Sequence, residues 1–170
     1  IEEKHIEAEQ KGDSIIYATD GSNAIAYVTW YAGNLGGCIG GPVHLWISNL
    51  DDLSKRVDIF HELWGERVQC VKGFGFSPDG KWLWVNHSDR ISDTDSEPRF
   101  MFVNLDRPLE SQLDLRSEMS ISASAWSEDS NRFAMMVENR TIIVFGLVEN
   151  KWVVSPLDIK GRPVSWSPDG

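Results

Sequence analysis

A five-residue phrase recurs along this chain and limits what it can fold into. Phe76-Ser77-Pro78-Asp79-Gly80 precedes the strand-like run Lys81 to Asn86. It returns as Trp126-Ser127-Glu128-Asp129-Ser130 ahead of Asn131 to Val137, and again as Trp166-Ser167-Pro168-Asp169-Gly170. Tyr17-Ala18-Thr19-Asp20-Gly21 is a looser first copy. The aspartates at 20, 79, 129 and 169 stand 59, 50 and 40 residues apart. In each phrase an aromatic residue closes a strand. Pro presets φ for the turn, Asp bonds its own backbone, and Gly accepts a left-handed conformation. Four such turns, each ahead of an apolar run, indicate a repeat architecture rather than a chemistry.

The residues between the turns complete the unit. Asn23 to Trp30 and Val43 to Leu50 read as strands, as do Phe100 to Asp106 and Ile142 to Leu147. The third strands of successive units match in character: Leu45 to Asp51 in one, Phe100 to Asp106 in the next. Residues 56–63 are ambiguous, because Leu53, Val57, Phe60 and Trp64 fall at near-helical spacing. Position in the repeat argues for an outer fourth strand there, and that is the expectation taken forward. Each unit then has four strands, so the fold expected is all-β: a β-propeller fragment of about three four-stranded antiparallel blades plus the first strand of a fourth. The blades divide at about 13–67, 68–119 and 120–160, with 161–170 incomplete. Residues 1–12 form a lead or the end of a preceding blade. A small residue stands before each turn aromatic (Gly75, Ala125, Ser165), which suits inner strands crowded around a channel.

At these residues the chain resembles the TolB-type WD40-like (PD40) repeat family, marked by a W/F-S-P-D-G turn before the second strand. The resemblance runs from Asp13 to Gly170. The Gly-His and Trp-Asp dipeptides of true WD40 repeats are absent from the sequence. The family implies a non-enzymatic propeller that binds other proteins. It also implies an alternative, the gating propeller of a prolyl-oligopeptidase-like serine hydrolase. Such propellers close with more blades than this chain supplies, so the sequence is expected to be an internal piece of a longer protein.

Composition narrows the partners. The 26 acidic against 16 basic residues give a net charge of −10, which argues against nucleic acid and against an anionic membrane surface. No apolar run approaches the roughly 20 residues needed to span a bilayer, so no membrane insertion is expected. With 41% hydrophobic residues and eight Trp the chain is globular. Cys38 and Cys70 form no CxxC pair and are expected to be two free thiols, which leaves the compartment, cytoplasmic or periplasmic, open.

No nucleophile elbow, HExxH or P-loop occurs, so no catalytic residue and no cofactor are expected. His5, His44, His61 and His87 read as strand or loop residues. The glycine-rich stretch Gly33 to Gly41 lacks the Lys-Ser/Thr ending of a phosphate loop and reads as an inter-strand connection. Asp89, Asp93, Asp95 and Glu97 are the weak candidates for a hard-cation site, against the plainer reading of a solvated loop. Trp82, Trp84, Trp126 and Trp166 read as packing between blades, whereas Trp30 and Trp46 flank the glycine stretch. Asp20, Gly21, Pro78, Asp79, Gly80, Asp129, Pro168, Asp169 and Gly170 are the structural turn residues. The two long second-to-third connections, residues 32–42 and 87–99, are expected on one face. A protein partner is expected there, contacting Trp30, Asn34, Asp93, Asp95 and Glu97.

Overall fold

The computed structural model describes residues 14–19, 24–30, 43–64, 68–90, 96–107, 113–116, 121, 123–137, 141–160 and 166–167. They form three four-stranded sheets, each an antiparallel meander in chain order. The first holds β1 (Ser14–Thr19), β2 (Ala24–Trp30), β3 (Val43–Asn49) and β4 (Asp52–Asp58). The second holds β5 (Val68–Phe76), β6 (Trp82–Arg90), β7 (Ser96–Asn104) and β8 (Leu113–Arg116). The third holds β9 (Ala123–Trp126), β10 (Arg132–Met136), β11 (Thr141–Val148) and β12 (Lys151–Lys160). A short helix, α1 (Ile59–Trp64), joins the first sheet to the second.

Alternation along the strands builds two different seams. Ala26, Val28, Val43 and Leu45 of the first sheet meet Leu83, Val85, Met101 and Val103 of the second, with Ile59 and Phe60 of α1 filling the gap. That seam is mainly aliphatic. The other face of the second sheet carries Trp82, Phe100 and Phe102, which pack on Phe133, Met135, Phe145 and Trp152 of the third. The Phe102 and Trp152 rings stack at 4.2 Å, and Phe100 and Phe133 at 5.7 Å. Aromatic pairs add about 0.5–1.5 kcal/mol each beyond the area they bury, so this second seam is the stronger per contact.

Three expectations are corrected. The fourth strand of the first unit lies at 52–58 rather than 56–63, and a helix follows it at 59–64. Asp58 explains the switch: its Oδ1 accepts the His61 backbone N–H at 3.1 Å, an N-cap that ends the strand and starts the helix. Ile59, Phe60 and Leu63 then all turn inward.

The long connection expected at 87–99 is mostly strand. β6 and β7 pair as far as Arg90 with Ser96, leaving only 91–95 between them. Charged residues are tolerated in this ladder because they are paired: Arg99 Nε lies 2.7 Å from Asp89 Oδ2 and His87 Nδ1 lies 3.1 Å from Asp89 Oδ1.

Cys70 is not a free thiol but disulfide-bonded. The chain's only other cysteine, Cys38, lies outside the described residues.

The small residue before the turn aromatic has a local cause at Gly75. A Cβ there would come within 2.9 Å of Trp84 Nε1, because the Trp84 indole lies across β5. Gly73 is crossed by the same ring, at 3.0 Å.

Candidate docking face

The meander order gives the molecule two unlike ends. One carries the first-to-second and third-to-fourth turns, and the other carries the second-to-third connections and the links between sheets.

At the turn end, Ser77 and Asp79 build a closed network. Ser77 Oγ donates to Asp79 Oδ1 at 2.6 Å and accepts the Trp82 N–H at 3.0 Å. Asp79 Oδ1 also accepts the Lys81 N–H at 3.1 Å. Ser127 and Asp129 repeat this, with Ser127 Oγ to Asp129 Oδ1 at 2.6 Å and the Arg132 N–H to Ser127 Oγ at 2.9 Å. Bonds from Ser127 and Asn131 to its carboxylate hold Asp129 below the ordinary carboxylate value. Gly80 has φ of 70° and Ser130, its counterpart, 60°. Ser130 Oγ accepts the Asp79 N–H at 3.0 Å, so one turn is tied to the turn of the neighbouring sheet.

The serines Ser77 and Ser127 were missed as the hub of the turn, although Ser stands two positions before Asp in each of the last three copies. Of the other expected turn residues, Pro78 is exposed within the turn. Asp20, Gly21, Pro168, Asp169 and Gly170 lie outside the described residues. Trp166 is seated against the third sheet, its Nε1–H donating to Ala125 O at 3.1 Å.

The connection end is irregular and polar. Asp58 caps α1 with one carboxylate oxygen and meets His44 Nδ1 with the other at 2.5 Å. His44 stacks on Trp46 at 5.6 Å, and the Arg56 guanidinium lies over the Trp46 ring at 4.3 Å. Phe60 of α1 rests on the buried His87 ring at 5.1 Å. Three histidines that the sequence scatters (His44, His61, His87) are thus gathered at one end, beside Asp58, Glu62 and Asp89.

The expected site residues divide. Asp89 and Glu97 are brought together as cross-strand partners, but both face Arg99: Glu97 Oε2 lies 3.5 Å from its Nη2. Asp89 is buried by this pairing rather than presented on a loop. Trp30 ends β2 at this end. Asn34, Asp93 and Asp95 lie outside the described residues. Among the described residues no group of three or more His, Cys, Asp or Glu side chains is arranged to hold a metal ion. No helix among them is long and apolar enough to cross a membrane.

No family model matches the sequence, and no curated protein matches it. Solved structures do. One of two prolyl endopeptidases superposes with a TM-score of 0.53 at 15% identity, over 85% of this chain and 21% of that one. TolB from Acinetobacter baumannii gives 0.47 at 18%, over 93% and 36%. The β-propeller domain of Cps50 (Swd1) from Myceliophteria thermophila gives 0.44 at 16%, over 91% and 46%. The chain therefore spans less than half the length of each of these three. The likeness is one of fold: the three antiparallel meanders are blades of a β-propeller.

Proposed function

We propose that this chain is a non-enzymatic scaffold of the TolB-like propeller type, part of a larger protein, that binds a protein partner at its connection end. The observation that carries the reading is the contrast between the two ends. The turn end is built from one repeated hydrogen-bonded device in the second and third sheets, whereas the connection end differs from sheet to sheet, carrying α1 and second-to-third connections of unequal length. Variable connections on a rigid scaffold are where binding residues concentrate. The candidate contacts are Trp30, Asn34, Asp93, Asp95 and the Glu97 edge.

The net charge of −10 suits a basic partner and an association that weakens with salt. Asp93 and Asp95 would lead that attraction, since Asp89 and Glu97 already engage Arg99.

The test is to shorten residues 31–42 and 91–95 to three-residue hairpins such as the one at 138–140. Affinity enrichment with the full-length protein should then lose the proteins that the unaltered form retains in a salt-dependent way. Retention of the same proteins in equal amount by the shortened form would end this reading.

A further inference from the structure

The β6–β7 ladder ends in a charge conflict that its own register creates. Asp89 stands directly opposite Glu97, and His87 opposite Arg99. By strand alternation all four share the face on which Leu83, Val85, Met101 and Val103 enter the first seam. Like charges set opposite one another across a ladder push it apart. Burial sharpens the conflict, because Asp89 is 6% exposed and His87 is enclosed beneath Phe60.

The backbone gives these rungs less support than the rest of the sheet. On one side β5 reaches Asp89 only through Val68, beyond a register shift between Val68 and Cys70. On the other, β8 pairs with β7 from Arg99 to Phe102, so among the described residues Ser96, Glu97 and Pro98 pair with β6 alone. Pro98, opposite Ser88, has no N–H to give to either side. The group that spans both carboxylates is Arg99. Its Nε lies 2.7 Å from Asp89 Oδ2, and its Nη2 lies 3.5 Å from Glu97 Oε2. A planar guanidinium can face two carboxylates at once through separate nitrogens held in a fixed fork.

We propose that Arg99 is a clamp that sets where this ladder ends, so that the outer half of the β6–β7 hairpin has two states. With the guanidinium between the carboxylates, the rungs Asp89–Glu97 and Arg90–Ser96 are closed. With it withdrawn, the uncompensated charges part these rungs, and the ladder ends near the His87–Arg99 rung. Leu83 to Asn86 stay paired with Phe100 to Val103, because the first seam holds them. The clamp does not depend on a partner docking at this end, and its test is made on the chain alone.

The test is native-state hydrogen exchange on the full chain. It is read at the amides of 87–90 and 96–99 that are protected in the unaltered protein, with Leu83, Val85, Met101 and Val103 on the same two strands as the reference. Arg99→Met keeps an aliphatic stem and removes the charge. It should speed exchange at the outer amides by about tenfold or more and leave the reference amides unchanged. Adding Asp89→Asn removes the buried charge and should return the rates to within about threefold of the unaltered chain, a rescue that lost packing alone would not give. Glu97→Gln by itself leaves Asp89 with Arg99 and should exchange as the unaltered chain does. Should Arg99→Met not fold, the double variant and Glu97→Gln carry the reading, since both are expected to keep these rungs protected. The proposal is overturned if Arg99→Met leaves the outer amides unchanged, if it speeds the reference amides equally, or if the double variant is as open as the single one. It is equally overturned if Glu97→Gln alone opens the rungs, because attraction to Glu97, rather than relief of the conflict at Asp89, would then hold them.

Discussion

The turn shows how one residue can carry two opposed effects. Ser130 holds φ at 60°, where a side chain is disfavoured, and in return ties its hydroxyl to Asp79 of the neighbouring sheet. Ser130→Ala keeps the strain and loses the bond, so it should cost about 1 kcal/mol. Ser130→Gly loses the bond but relieves the strain, so denaturant midpoints should place it close to the unaltered chain. If Ala proves neutral and Gly stabilising, the hydroxyl contributes nothing. Gly80, with φ of 70°, has no such compensation available. Gly80→Val should lower stability by about 1 kcal/mol or more, and an unchanged midpoint would refute the left-handed assignment. Asp and Gly in these turns were legible because their local roles are intrinsic. The hub role of Ser77 was not, since it depends on the Trp82 N–H returning across the turn.

At the scale of elements, strand placement followed the repeat closely wherever the unit was regular. β3 and β5 stand where the apolar runs put them. The sequence misled where local and repeat signals competed. α1 was signalled by the near-helical spacing of Leu53, Val57, Phe60 and Trp64, yet repeat position outweighed it, and the capping role of Asp58 went unread. Extension of β6 and β7 to Arg90 and Ser96 was hidden for another reason. His87, Asp89 and Arg99 look like loop residues until their cross-strand pairing is known, and pairing is not a property of either strand alone. That Cys70 is disulfide-bonded was illegible in the same way, because no local motif marks it. Asp58 is the element-scale test. Asp58→Ala removes the cap of α1 and leaves His44 without this carboxylate, so it should cost about 1–2 kcal/mol. Circular dichroism should show the helical signal weakening before the β signal. Loss of both together would mean that α1 is not a separate element but part of the core.

Across the whole molecule, the two seams are unequal. The second joins aromatic faces and is bridged by the Ser130–Asp79 bond, whereas the first is mainly aliphatic. Native-state hydrogen exchange under reducing conditions should therefore find the amides of β6, β7, β10 and β11 protected longer than those of β2 and β3. Equal protection throughout would show that the three sheets open as one cooperative unit. The bridge between turns also has a direction. At the first seam its place is taken by Gly80, which has no hydroxyl to offer. The hydroxyl of Ser130 thus ties the third blade to the second, and position 80 supplies no such hydroxyl toward the first. If exchange follows that asymmetry, the second and third blades should open as a pair, after the first has parted from them.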